Sequence, residues 1–244
     1  MAETAQVKII ARIRSDFSQK FGIPRQSGLV EELEATVVFE PEFRDPEALR
    51  GLEGFSHLWL IWEFSKARRE RWSPTVRPPR LGGNQRLGVF ATRSPFRPNP
   101  IGLSCVRLKG VDLHTPEGPV IRVAGADLLD GTPIYDIKPY LPYADCKRDA
   151  LGGFASAPKE ATLTVEIPPR WLECIPEEKR AALAGVLAQD PRPQYQQDPQ
   201  RVYGMEFGGL EVRFRVEGSK LTVCGVERRV LCEDRHCPDK EEET

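Results

Sequence analysis

No run of this 244-residue chain approaches the roughly eighteen apolar residues that a membrane-spanning helix needs. Its opening residues, Met1 to Lys8, hold no apolar segment of the length a secretory signal requires. Six cysteines are present (Cys105, Cys146, Cys174, Cys224, Cys232, Cys237), but none stands at paired spacing. That pattern argues against a disulfide framework and fits reduced thiols, so a cytoplasmic location with no membrane partner is expected. Cys232, His236 and Cys237 lie in an acidic tail without a second ligand pair, and no metal site is expected there. Charge of one sign is missing too, since 35 Lys+Arg against 36 Asp+Glu leave a net charge of −1. A uniformly basic field for nucleic acid is thereby excluded, and any polyanion site has to come from local clustering.

Such a cluster is present. Between Lys66 and Arg97 stand nine basic residues (Lys66, Arg68, Arg69, Arg71, Arg77, Arg80, Arg86, Arg93, Arg97) against one acid, Glu70. Pro74, Pro78, Pro79, Gly82 and Gly83 hold the segment in loop form, and Trp72 supplies an aromatic ring. Arginines for phosphate and a ring for stacking are the ingredients of an RNA-binding surface; a solvated connector is the alternative. The stretch Gly88 to Ser104 then joins two expected strands, 86–92 and 103–113, through a loop stiffened by Pro95, Pro98 and Pro100. Arg93, Arg97, Asn99 and Ser94 are thus held with little entropy left to lose, an arrangement suited to an anionic or carboxylate ligand.

Twenty-two prolines and twenty glycines favour strands joined by ordered loops over a helical bundle. Further strands are expected at 7–13, 35–39, 57–64, 120–124, 134–140 and 162–167. The run His57 to Phe64 is apolar on both faces and reads as a strand buried on both sides. Many short strands with long Pro/Gly loops predict a mainly β fold, a single-sheet antiparallel β-barrel. After Pro168-Pro169 the composition shifts. Glu177 to Gln189 has helical spacing with acids in its first turn, and 210–216 with 220–226 form a hairpin around Glu217-Gly218-Ser219. The expected organisation is a barrel domain over 1–167, a small α+β domain over 168–232 that extends the RNA contact, and a mobile tail over 233–244.

Several of these segments carry motifs. Phe21-Gly22-Ile23-Pro24-Arg25-Gln26, Gly54-Phe55-Ser56-His57-Leu58-Trp59, Arg77-Pro78-Pro79-Arg80-Leu81-Gly82-Gly83-Asn84, the Gly88–Ser104 stretch, Asp130-Gly131-Thr132-Pro133 through Tyr143, and Gln189-Asp190-Pro191-Arg192-Pro193 together resemble the TrmO (YaeB-like) family over nearly the whole chain. The resemblance implies an S-adenosyl-L-methionine-dependent tRNA methyltransferase built on a β-barrel, and the chain has no G-x-G-x-x-G fingerprint of a Rossmann fold. It implies methylation of N6 of threonylcarbamoyl-adenosine at position 37, in the anticodon loop of threonine tRNA. It also implies a homodimer with the cofactor near the subunit interface, and no DNA partner. Carried over by motif, the cofactor contacts are Pro24, Arg25, Gln26, Ser65, Lys66, Arg93, Leu103, Asp130, Gly131, Thr132 and Pro133. Family members often have His-Gln where this chain has Ser65-Lys66. An exocyclic adenine amine is a poor nucleophile, so a proton acceptor is expected, with Asp136 and Tyr140 as the candidates; a structural ion pair of Asp136 with Lys138 on the same strand face is the alternative. The alternative reading is a non-catalytic RNA- or nucleotide-binding barrel.

Overall fold

A computed structural model describes residues 3–67, 71–156, 163–193 and 198–229. Arg68, Arg69, Glu70, Cys232, His236, Cys237 and the expected tail 233–244 lie outside the described residues. The strands in chain order are β1 (Ala11–Arg14), β2 (Glu34–Phe39), β3 (His57–Glu63), β4 (Thr75–Val76), β5 (Leu87–Gly88), β6 (Ile101–Thr115), β7 (Gly118–Ala124), β8 (Pro133–Pro139), β9 (Thr164–Glu166), β10 (Tyr203–Phe207), β11 (Leu210–Glu217) and β12 (Lys220–Arg228). Helices α1 (Pro142–Asp145), α2 (Pro169–Leu172) and α3 (Glu177–Ala188) complete the regular elements, apart from short 3-10 turns.

Six strands close into an antiparallel barrel in the order β1-β2-β7-β6-β3-β8, as the strand count and loop pattern predict. Its interior follows from period-two alternation. On β3, Leu58, Leu60 and Trp62 are buried and meet Val37, Val106, Ile121, Val123 and Ile134 from the other strands. The outer residues Trp59 and Ile61 are only half-buried, so β3 is fully covered on one face and partly on the other. Gly102 admits the Trp62 ring, because a Cβ there would lie 2.3 Å from Trp62 Cε2.

Three expected strands are placed differently. β1 begins at Ala11 rather than Val7, since the last rung of its partner is Ala11 opposite Phe39, and Val7 is exposed. The expected strand 86–92 pairs only at Leu87–Gly88, against the two residues of β4. Beyond it Val89 N–H donates to Pro74 O (2.9 Å), and the chain coils into a 3-10 turn over Val89–Ala91. Finally, the strand expected at 162–167 lies outside the barrel, because Thr164–Glu166 runs parallel to β12 in a second sheet of order β10-β11-β12-β9.

That sheet and α3 enclose a second core of Leu183, Val186, Leu187, Met205, Phe207, Val212, Phe214 and Val223. The connection from β1 to β2 contributes Phe17, Val30 and Leu33 to the same core, with Phe17 edge-on to Phe207 at 5.6 Å between centroids. Gly208 N–H donates to Asp16 O (2.8 Å), and the Asp16 carboxylate pairs with Lys179 of α3. The second unit therefore buttresses a connection that emerges from one end of the barrel.

Candidate active site

The three long connections on that end run from the ends of β1, β3 and β7 to the starts of β2, β6 and β8, an arrangement fixed by antiparallel pairing of Arg14 with Thr36, Glu34 with Ala124, Glu63 with Ile101 and Trp62 with Ile134. They are residues 15–33, 64–100 and 125–132. Together with the strand ends they enclose a cavity of about 880 Å³, within the roughly 300–1,000 Å³ usual for small-molecule sites. Ile23, Trp62, Phe64, Leu103 and Leu129 give it apolar surface, Lys20, Arg25, Lys66, Arg93 and Arg97 supply cations, and Glu63 and Asp127 supply carboxylates.

Eight of the expected cofactor contacts line this cavity: Pro24, Arg25, Gln26, Ser65, Lys66, Arg93, Leu103 and Thr132. They come from four segments far apart in the chain. The rest of the expected set is placed beside it. Asp130 accepts from Ser15 N–H (3.1 Å), Gly131 holds a left-handed turn (φ +72°) whose carbonyl accepts from Arg12 (3.2 Å), and Pro133 opens β8, buried. These three stitch the β7–β8 connection to β1 and leave only Thr132 facing the site.

The two expected proton acceptors are outside the lining. Asp136 pairs with Lys138 two residues along β8 (3.0 Å) and its carboxylate also accepts from Ile137 N–H (2.9 Å). Tyr140 stands past the far end of β8, with its ring against Trp59 at 5.8 Å and His57 at 6.2 Å. Desolvation, then the neighbouring Cys146, Cys105 and Asp145, push its phenol above the ordinary 10.0. A phenol so placed keeps its proton.

Two residues the sequence did not single out hold the site together. Trp62 Nε1–H donates to Ser104 Oγ (2.9 Å), and Ser104 Oγ–H donates to Asp127 Oδ1 (2.6 Å). Burial pushes the Asp127 carboxyl above its ordinary 3.8, opposed by hydrogen bonds from Ser104 and backbone N–H groups, including that of Ser27, and by the nearby Arg93 charge. Ser27 Oγ in turn accepts from Cys105 N–H (3.1 Å), while Arg93 donates to the Gln26 side chain. Asp127 is thus the hub that ties β6, the β1–β2 connection and the proline-rich loop. The second residue, Glu63, is 4 % exposed and accepts from Tyr135 Oη (2.6 Å). The available signal was an acid at the end of an otherwise apolar strand, where β3 and β7 leave the barrel.

A closed barrel with a cavity at one end, lined by five cations, two carboxylates and apolar side chains, has the site architecture of a barrel enzyme that takes a small charged ligand. The family it falls in follows from likeness over the whole chain. Residues 12–146 match the tRNA-methyltransferase O N-terminal domain, and residues 160–229 match the TrmO C-terminal domain. The chain belongs to the tRNA-methyltransferase O family. It is 42% identical over 235 residues to the tRNA (adenine(37)-N6)-methyltransferase of Escherichia coli, covering 92% of this chain and 98% of that protein. A putative S-adenosylmethionine-dependent methyltransferase of Pseudomonas aeruginosa is 44% identical, with 86% and 92% covered. A crystal structure of TrmO from that organism superposes with a TM-score of 0.76 at 38% identity, covering 94% of this chain and 99% of its own.

Proposed function

We propose that this chain transfers a methyl group from S-adenosyl-L-methionine to N6 of adenosine 37 of tRNA, as the name of its E. coli relative states for that protein. The finer substrate in this proposal is threonylcarbamoyl-adenosine of threonine tRNA, acted on in the cytoplasm by a homodimer. The single observation that carries the donor half is convergence, in one cavity, of contacts from four distant segments.

The residues present fit the donor. Its amino-acid end carries both a carboxylate and an ammonium, and the cavity offers Arg25, Lys66 and Arg93 for the first and the buried Glu63 for the second. Apolar contact for the adenine ring is available from Ile23, Leu103 and Leu129. When bound, the donor supplies an electrophilic methyl carbon whose bond to sulfur breaks, with its electron pair, onto a neutral thioether as the nitrogen–carbon bond forms. The chain's own work is chiefly alignment. A rigid loop with Pro95 and Pro98 in the lining holds its groups without reorganisation at the moment of reaction. The acceptor nitrogen gives up one proton. Asp127, within the lining and with its proton affinity raised by burial, is better placed to receive it than Asp136.

The experiment is transfer of tritiated methyl to unmodified and threonylcarbamoylated threonine tRNA, followed by digestion to nucleosides. Label is expected in N6-methylated adenosine from position 37. A protein that binds donor and tRNA but leaves both RNAs unlabelled is a non-catalytic binding barrel.

A further inference from the structure

An exposed aromatic pair stands at the cavity, Phe90 in its lining and Trp72 outside it. Phe90 is 71% exposed and Trp72 52%, with ring centroids 6.2 Å apart and planes 30° from parallel. The Arg97 guanidinium lies 5.9 Å from the Phe90 centroid and is itself steadied by a hydrogen bond to Thr92 O (3.0 Å). Single exposed apolar residues are ordinary on protein surfaces. Two adjacent rings topped by a guanidinium, on a cavity rim, are not covered by that default. Nor is their exposure a sign of looseness. The backbone beneath is pinned by the β4–β5 pair, by Val89 N–H to Pro74 O, and by a Val89 side chain 1% exposed.

Charge says what kind of molecule lies there. Residues 71–100 contain six arginines (Arg71, Arg77, Arg80, Arg86, Arg93, Arg97) and no acid. A peptide or an apolar small molecule has no use for a loop with six arginines and no acid that also carries two bare rings; a single-stranded polyanion with flat bases does. Phe90 and Arg97 line the same cavity as Arg93 and Leu103. An RNA strand that delivers one base into the cavity therefore passes its next base over these rings.

We propose that Phe90, Trp72 and Arg97 form a stacking platform for the nucleotide flanking the acceptor adenosine, gripping it by its π face. The proposal rests on RNA being the acceptor and specifies which residues hold the strand open next to the reacting base. Stacking of this kind tolerates any base, so the platform contributes to affinity and to unstacking of the loop and not to sequence choice.

The test uses the full chain and an anticodon stem–loop RNA with 2-aminopurine beside adenosine 37, on either side in turn. Binding to the wild type should quench the fluorescence of one of the two probes. Phe90→Ala and Trp72→Ala should each weaken RNA binding by about fivefold to a hundredfold and relieve the quench, whereas Phe90→Trp should retain both. Their dependence on salt should match the wild type, while Arg80→Ala should flatten the salt slope by about one phosphate's worth. Trp72→Ala, outside the donor cavity, should keep wild-type affinity for S-adenosylmethionine. Wild-type RNA affinity in both alanine variants, or no quench in either probe, overturns the platform. If the wild type quenches but transfers no methyl, the catalytic reading fails and the platform stands. If it transfers methyl and Phe90→Ala leaves the RNA KM unchanged, the platform alone fails.

Discussion

Adding one methyl group at Gly102 should do disproportionate damage, because that glycine is the slot for the Trp62 ring. A Cβ there would come within 2.3 Å of Cε2 and 2.4 Å of Cζ2, inside any real carbon–carbon contact. Gly102 has no left-handed backbone to protect, so an alanine meets no conformational objection and the cost is purely steric. The indole has no free direction: Trp62 is 7% exposed, and its Nε1–H is committed to Ser104 Oγ at 2.9 Å. Overpacking of this kind costs about 1–3 kcal/mol, and displacing the indole takes its buried Nε1–H away from its Ser104 acceptor for about 1–3 kcal/mol more. Gly102→Ala should therefore lose about 2–6 kcal/mol of unfolding free energy in urea. Donor affinity should fall as well, since Trp62 and Gly102 both line the cavity. A cycle with Trp62→Leu isolates the cause: in that background the added methyl should cost less than about 1 kcal/mol. A Gly102→Ala protein within about 0.5 kcal/mol of wild type, or an equal loss in both backgrounds, would refute the slot.

The other expectations concern the loops and the acids. Gly22 has φ +95°, and an added Cβ would meet Met205 Sδ at 2.2 Å; Gly22→Ala should cost about 2–3 kcal/mol and weaken donor binding by displacing the loop with Pro24 to Gln26, both read from denaturation and calorimetry. Asp127 has a raised folded pKa, so its protonated form is favoured in the native state and the protein loses stability as pH rises from its ordinary 3.8 through the folded value. Asp127→Asn should remove that decline, so the stability difference between variant and wild type should move in the variant's favour across that window in denaturation series at several pH values. If Asp127 takes the proton, the same variant should lose the acidic limb of the kcat profile; Asp136→Asn, at a residue outside the cavity, should keep it, and a reversed pair of profiles would return the role to Asp136.

How much of this was legible in the sequence depended on range. β3, β7 and β8 declare themselves through dense apolar or alternating runs, and the Asp130-Gly131 turn through its dipeptide; α3 shows through spacing and its first-turn acids. β10 was missed although Tyr203, Met205 and Phe207 are all buried on alternate positions, because Gly204 and the preceding polar segment hide a short run. The strand expected at 86–92 has the right alternation but only a two-residue partner, and periodicity says nothing about partner length. Among the residues that line the cavity, those of the proline-rich loop stand out by local pattern, whereas Pro24-Arg25-Gln26 reads by itself as an ordinary surface loop and entered through the family resemblance. Asp127 was not legible, since its importance comes from Ser27, Arg93 and Ser104, each supplied by a different connection or strand. A lone acid after an apolar strand reads as an ordinary strand end until those partners are known.

Charges brought from distant segments should hold the methyl donor in the rim cavity, and isothermal titration of S-adenosyl-L-methionine into the wild type and Arg93→Ala reads that hold. One donor per chain should bind the wild type, and removing the Arg93 guanidinium should weaken it by about tenfold to a hundredfold, as for loss of one charge-assisted hydrogen bond. No detectable binding to the wild type, or equal affinity in both proteins, would contradict the account.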